Sequence, residues 1–262
     1  MNKKTYRGIL ADLDGTVNRG GLLLPGAAEA YKRLSEKGVR WVFVSNSAMK
    51  LASDLAAKIG SLGLAVTGSQ FVNSASALIN ALQRHFLGKR VMVVGEPRLV
   101  EGIGQAGVEI TEDPDRTDIV VTALDTDFTY DKLRRAHEAL QNGALFWVTN
   151  TDPSYPTTDG FRPGAGSIAA AIATASGRDP DRVFGKPSPD MAELALEILQ
   201  LDAGACLMVG DRIETDIVFA KNAGMDSALV LTGASTKEDA ERSPYRPEYV
   251  FEGIADIVGL FE

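Results

Sequence analysis

The chain has 262 residues, 45% of them hydrophobic, 24% charged and 7% aromatic. That balance belongs to a folded globular protein and excludes a disordered, collagen-like or disulfide-stapled chain. A formal net charge of −8 repels nucleic acid and anionic membrane surfaces, so an anionic ligand would need local cations or a metal to hold it.

The length holds one large domain or two modest ones, each able to bury a core. Cys206 is the only cysteine, which excludes an intramolecular disulfide. The apolar stretch after Lys3, Lys4 and Arg7 stops at Asp12, too short for a secretory signal, and no run reaches the length of a membrane span. A cytoplasmic protein is the expectation.

In chain order, residues 8–11 read as a buried strand ending at Asp12. Residues 26–37 place Ala27, Ala30, Tyr31 and Leu34 at helical spacing, stopped by Gly38. Residues 40–44 read as a strand ending at Ser45-Asn46, followed by a helix over about 48–59. Further strands are expected at 90–94, 107–110, 118–122, 145–148, 206–209 and 227–231, with helical patterns between them. Strict alternation of strand and helix predicts an α/β fold with parallel sheets covered on both faces. Residues 177–190, rich in Gly, Pro and charge, mark a domain junction. The expected organisation is a discontinuous core, 1–79 and 180–262, with 80–179 inserted as a second α/β domain.

The chemistry gathers at strand ends. Asp12-Leu13-Asp14-Gly15-Thr16 follows the first strand directly. In extended chain Asp12 and Asp14 share a side, so either one is protonated or a cation sits between them. A second acidic group, Gly210-Asp211-Arg212-Ile213-Glu214-Thr215-Asp216, follows Leu207-Met208-Val209. Parallel sheets gather ligands at their carboxyl edge, where both groups can meet. A hard, oxygen-ligated cation fits them, and Mg²⁺ suits a site with few carboxylates plus water and phosphate. Ser45-Asn46 offers a hydroxyl and an amide to phosphate oxygens, and Lys186 offers charge.

The set Asp12-x-Asp14-Gly15-Thr16, Ser45-Asn46, Lys186 and Gly210-Asp211-x-x-x-x-Asp216 resembles the four motifs of the haloacid dehalogenase (HAD) superfamily. The insert resembles the class IIA cap of its nitrophenylphosphatase-like (NagD-type) branch. Similar there are Asp127-Phe128-Thr129-Tyr130, Asn150-x-Asp152, Pro163-Gly164-x-Gly166, and Gly177-Arg178 ahead of Gly185-Lys186-Pro187-Ser188-Pro189. Departures are Ser45-Asn46-Ser47, where the branch often has Thr-Asn-Asn, and Arg212, where Asn is frequent.

The resemblance implies a Rossmann-like, doubly wound core with an α/β cap, and a Mg²⁺-dependent hydrolase of small phosphate monoesters. Asp12 would be the nucleophile that forms an aspartyl-phosphate, and Asp14 the acid and then the base. Asp12, the Asp14 main-chain carbonyl and Asp211 would hold Mg²⁺, with Thr16 and Asp216 in support. Ser45, Asn46 and Lys186 would bind phosphate, and Asn150, Asp152 and the 155–166 loop would face the leaving group. Nucleotide, sugar and glycolate-type phosphates all fit as substrates. The exposed cap face of such proteins often pairs, so a homodimer through the cap is expected. The alternative is a phosphometabolite-binding protein with a silent site.

Other signals carry less. Gly102-x-Gly104-x-x-Gly107 ends a helix and leads into a strand, the reverse of a dinucleotide fingerprint. His85 and His137 sit in helical segments without metal-ligand spacing, and Cys206 reads as a small buried hydrophobe. Pro163-Gly164-Ala165-Gly166 opens a helix whose N–H groups could meet an anion.

Overall fold

The computed structural model describes residues 5–157 and 160–261, so Lys3, Lys4, Thr158 and Asp159 lie outside the described residues. The chain forms two compact units. One runs through Ser45, Ala52–Val72 and from Lys186 onward; the other takes Asn46–Leu51 and Asn73–Gly185. Their boundaries fall at 72/73 and 185/186, where the sequence reading divides the chain at 79/80 and 179/180. Both units are built on parallel sheets, as the alternation predicts.

The first unit is built on a six-stranded sheet in the order Tyr249–Phe251, Asp226–Val230, Cys206–Gly210, Gly8–Asp12, Arg40–Ser45, Phe71–Asn73. Gly8–Asp12 runs parallel to both neighbours, with Ala11 opposite Val209 and Asp12 opposite Val44. The chain builds outward from this strand in one direction and later returns to build in the other. The gap between Gly8–Asp12 and Cys206–Gly210 is therefore the topological switch point, where an open α/β sheet leaves a crevice at its carboxyl edge. Ile9, Leu10 and Ala11 are fully buried, as are Leu207, Met208 and Val209. An apolar run without alternation is what a strand covered on both faces requires. On one face Trp41 stacks on Phe43 and Phe43 on Phe71, with Tyr31 edge-on to Trp41.

The second unit has a five-stranded, all-parallel sheet in the order Arg182–Val183, Leu145–Val148, Ile119–Thr122, Arg90–Val94, Glu109–Ile110. Val120, Phe146 and Val148 pack there against Ala136, Ala139 and Leu140 of helix Tyr130–Gln141 and Ile168 and Ile172 of helix Ala165–Ser176. Each fully buried Leu, Ile or Phe contributes about 2 kcal/mol relative to exposure. Thr129 caps the first of these helices by accepting from Lys132 N, and Gly177 ends the second in the left-handed region. A two-stranded hairpin, Ser154–Thr157 with Gly160–Pro163, completes this unit. Among the described residues no helix is long and apolar enough to cross a membrane.

Most expected elements occur within a residue or two; three departures have physical causes. The helix expected at 48–59 runs instead over Ala52–Ser61. The preceding backbone is taken by side chains of the second unit: Asn73 Nδ2 donates to Ser47 O and Lys50 O, and Ser74 Oγ to Asn46 O. Only Glu109–Ile110 of the expected strand 107–110 is extended, because Gly107 at φ 81° closes the previous helix. The strands Phe71–Asn73, Tyr249–Phe251 and Arg182–Val183 went unpredicted; at two or three residues they carry no readable periodicity.

Candidate active site

Asp12 is the last residue of its strand, and the chain turns immediately after it. The N–H groups of Val17 and Asn18 both donate to Leu13 O at 2.9 Å, so the extended chain gives way to a turn there. The Asp14 carboxylate is consequently 57% exposed, accepting from Asn18 Nδ2 at 2.8 Å with Lys58 Nζ at 3.7 Å. Gly15 makes the turn at φ 101°, and a Cβ there would lie 2.6 Å from Asp211 Oδ2, so no other residue fits.

The carboxylates that converge are Asp12, Asp211 and Asp216, each with an oxygen within 4.8 Å of the others. Asp216, which the sequence reading placed in support, is the third carboxylate of this group. Asp216 gets there because residues Ile213–Ile217 form a π-helical turn, the widened geometry that recurs at functional sites. Gly210 lets it approach, since any Cβ there would collide with the Asp216 side chain. Asp216 Oδ2 accepts from the N–H groups of Asp211 and Arg212, both at 3.1 Å.

Lys186 closes the cluster. Its Nζ lies 2.5 Å from Asp12 Oδ1 and 2.6 Å from Asp216 Oδ1, and the residue is only 4% exposed. Burial pulls the ammonium down, but Asp12 and Asp216 outweigh it and hold Lys186 above its ordinary value. Burial pushes the Asp12 carboxyl well above the carboxylate range; Lys186 opposes this, while Asp216 and Asp211 add to it. Burial and Asp216 also raise Asp211, against the hydrogen bond from Ala234 N–H and the cations Lys186 and Arg212. Three carboxylates thus share one ammonium, a set of hard oxygen donors with an excess of negative charge. A divalent cation fits that donor set.

Ser45 is buried at the end of the neighbouring strand, and Thr16 is fully buried with no partner for Oγ1 among the described residues. Sequence reading missed Asn18 and Lys58, which hold the Asp14 carboxylate. It also missed the loop after Asp226–Val230, where Ala234 N donates to Asp211 Oδ2 at 2.7 Å and Thr232 Oγ1 to Gly15 O at 2.6 Å. Thr232-Gly233 at a strand's carboxyl end was the signal available for that loop.

The remaining expected site residues belong to the second unit. Asn46 Nδ2 donates to the Asp152 carboxylate at 3.2 and 3.4 Å. Asn150 is buried, its Nδ2 donating to Asn46 O at 2.8 Å and its Oδ1 accepting from Asp152 N at 3.1 Å. The helix start at 163–166 spends its N–H groups internally: Gly164 N donates to Pro153 O at 2.8 Å and Gly166 N to Asp152 O at 2.9 Å. A Cβ on either glycine would collide with the carbonyls of Thr151 or Asp152, so the Gly-x-Gly pattern serves close backbone approach.

Residues 9–109 match the haloacid dehalogenase-like hydrolase model and residues 183–257 a HAD-hydrolase-like model. The chain is 38% identical over 255 residues to the sugar-phosphatase AraL of Bacillus subtilis, covering 97% of this chain and 93% of that protein. It is 34% identical over 260 residues to the acid sugar phosphatase of Staphylococcus saprophyticus, covering 99% of each. The chain belongs to the haloacid dehalogenase-like hydrolases. Among solved structures, the p-nitrophenyl phosphatase of Archaeoglobus fulgidus superposes with a TM-score of 0.92 at 33% identity, over 97% of this chain and 99% of that one. NagD of Escherichia coli K-12 does so at 0.89 and 33%, over 97% and 98%, which places the chain in the NagD-type branch. A Mycobacterium tuberculosis glycerol phosphate phosphatase, solved with magnesium, is 36% identical with a TM-score of 0.88, over 95% of this chain and 75% of that one.

Proposed function

We propose that this HAD-family phosphatase hydrolyses small phosphate monoesters, with sugar and polyol phosphates first among them, through an aspartyl-phosphate on Asp12. The observation that carries the reading is the convergence of Asp12, Asp211 and Asp216 on one buried lysine at the sheet's switch point. Relatives named as sugar phosphatases and a glycerol phosphate phosphatase support the substrate class. The second unit acts as the cap that selects the leaving group, and the enzyme works in the cytoplasm, as a dimer paired through that unit.

In the first step an Asp12 carboxylate oxygen attacks phosphorus and the bond to the ester oxygen breaks. Asp14 gives that oxygen its proton, so the alcohol leaves neutral. In the second step Asp14 takes a proton from water, the water oxygen attacks phosphorus, and inorganic phosphate leaves with Asp12 restored. The exposure of Asp14 suits this role, since its proton must reach both an alcohol and a water. Lys186 holds phosphoryl oxygens while opposing the protonation that burial favours at Asp12, and Ser45 donates to them. Mg²⁺, held by Asp12, the Asp14 carbonyl and Asp211, would offset phosphate charge so that one anion can approach another. Asp216, with both oxygens engaged by Lys186 and main-chain N–H groups, orients Lys186 rather than binding substrate.

The test is chemical trapping during turnover of p-nitrophenyl phosphate. Borohydride reduces an acyl phosphate to the alcohol, so residue 12 should be recovered as homoserine in the peptide spectrum. Turnover with Asp12 unmodified after trapping, or an active Asp12→Asn variant, would exclude the covalent route.

A further inference from the structure

We infer that the loop Thr232–Ser235, which contributes no ligand of its own, sets the metal affinity of the site by fixing two of the three proposed ligands at once. The inference rests on the proposed ligand set of Asp12, the Asp14 carbonyl and Asp211.

The first ligand it fixes is the Asp211 carboxylate. Ala234 N donates to Asp211 Oδ2 at 2.7 Å, which commits that oxygen and leaves Oδ1 for a cation. The carboxylate is slotted between two glycines: a Cβ on Gly15 or on Gly233 would run into it. Around it Ser235 N donates to Asp211 O at 2.9 Å, and Ser235 Oγ, itself buried, accepts from Ile213 N at 3.1 Å. The loop therefore grips both the side chain and the main chain of the same aspartate.

The second ligand is the Asp14 carbonyl. It shares a peptide plane with Gly15 N, which donates to Asn18 O at 2.8 Å, and in a trans peptide the carbonyl points the opposite way. The far side of Gly15 is held by Thr232, whose Oγ1 donates to Gly15 O at 2.6 Å. Thr232 O in turn accepts from Arg19 Nη2, on the hairpin Asn18–Arg19 with Leu22–Leu23 that follows the turn. Gly15, at φ 101°, is packed on the Asp211 carboxylate and has no side chain, so these bonds on either side of it fix how its peptides are turned. Thr232 is the residue through which the loop reaches it.

Groups that orient metal ligands typically change affinity about 10- to 100-fold when removed. Thr232→Val keeps the shape of the side chain and deletes the hydroxyl, whereas Thr232→Ser keeps the hydroxyl. The experiment titrates Mg²⁺ into apoprotein by calorimetry, without substrate, and measures thermal unfolding of each variant in EDTA. Thr232→Val should bind Mg²⁺ about 10-fold more weakly, Thr232→Ser within about 2-fold of the parent, and Gly233→Ala more weakly than Thr232→Val. Saturating Mg²⁺ should return kcat of Thr232→Val to near the parent value. Equal Mg²⁺ affinity in parent and Thr232→Val overturns the inference. So does a loss shared by Thr232→Val and Thr232→Ser with a matching fall in Tm, which would mark a merely structural role. Asp211→Asn separates the two levels: if it leaves Mg²⁺ binding intact the proposed ligand set fails. If it abolishes binding while Thr232→Val does not weaken it, only the loop inference falls.

Discussion

Replacing Lys186 by Met nearly keeps the side-chain length and removes the ammonium that bridges Asp12 and Asp216. In the apoprotein this leaves a cluster of three carboxylates with no cation between them, two of them nearly inaccessible and Asp12 with 13% of its side chain exposed. Breaking a buried pair from one side costs about 3–5 kcal/mol, and the opening at Asp12 argues for the lower figure, about 3 kcal/mol. At roughly 2–4 °C per kcal/mol for a chain of this size, Tm should fall by about 6–12 °C in EDTA. The two tryptophans allow the unit to be read separately: Trp41 lies in the first unit and Trp147 in the second, so a Trp147→Phe background reports on the first alone. The deficit should also depend on pH. Burial already raises the Asp12 carboxyl in the folded state, and loss of Lys186 raises it further. A carboxyl raised on folding binds more protons in the native than in the unfolded state, so stability falls as pH rises from its unfolded value towards its folded one. The Tm deficit of Lys186→Met should therefore be larger at pH 8 than at pH 5. A Tm loss under about 2 °C, or one of the same size at both pH values, would refute the account of Lys186 as the counter-ion of this cluster.

Three further outcomes are expected. Excess EDTA should abolish hydrolysis of p-nitrophenyl phosphate and Mg²⁺ restore it, with Ca²⁺ a poor substitute because its larger, looser shell misplaces the nucleophile; steady-state phosphate release after chelation decides. Asp14→Asn should slow poor alcohol leaving groups far more than nitrophenolate, which needs no proton, and equal defects across an aryl-to-alkyl substrate series would remove Asp14 as the acid. In the second unit, Asp118 is held below the usual carboxylate range by the Arg90 N–H at 2.9 Å, with the Arg90 side chain and Lys89 adding to it against partial burial. Its contribution, about 1 kcal/mol after allowing for solvent screening, is present above pH ~4 and lost as pH falls through the depressed value. The Trp147-reported Tm of Asp118→Ala should thus fall below the parent at pH 7 and meet it in acid.

Legibility in the sequence followed how locally each feature is encoded. Strands covered on both faces, such as Ile9–Ala11 and Leu207–Val209, stand out as apolar runs, and the acidic residues after them mark the carboxyl edge. The order of strands does not need to be known to see that both runs end in aspartate. Features held by distant partners were harder to read. Nothing local says that residues 46–51 will be claimed by Asn73 and Ser74 instead of starting a helix. Nothing local says that a π-helical turn will bring Asp216 to Asp12 and Asp211.

Neighbouring motif residues can also carry unlike duties, and Ser45-Asn46 is the instructive pair. Ser45 ends a strand of the first unit, where it is buried next in sequence to the turn. Asn46 begins the segment that packs with the second unit, where its side chain donates to Asp152 and its carbonyl accepts from both Ser74 and Asn150. A strand-end hydroxyl and amide look interchangeable as phosphate donors when read as letters. Their hydrogen bonds assign them differently: the Asn46 amide answers to a carboxylate, and a group already donating to Asp152 would have to leave it to serve a phosphate. Asn150 is in the same position, since both ends of its buried amide are satisfied inside its own unit. The carboxylate of Asp152 is half-buried, and of the three it is the one that would carry charge towards a leaving group if the second unit serves as the proposed cap. Under the proposed cap role, Asp152 would favour hydroxylated leaving groups such as sugars and polyols, because a carboxylate accepts hydrogen bonds from hydroxyls and repels a second anionic group.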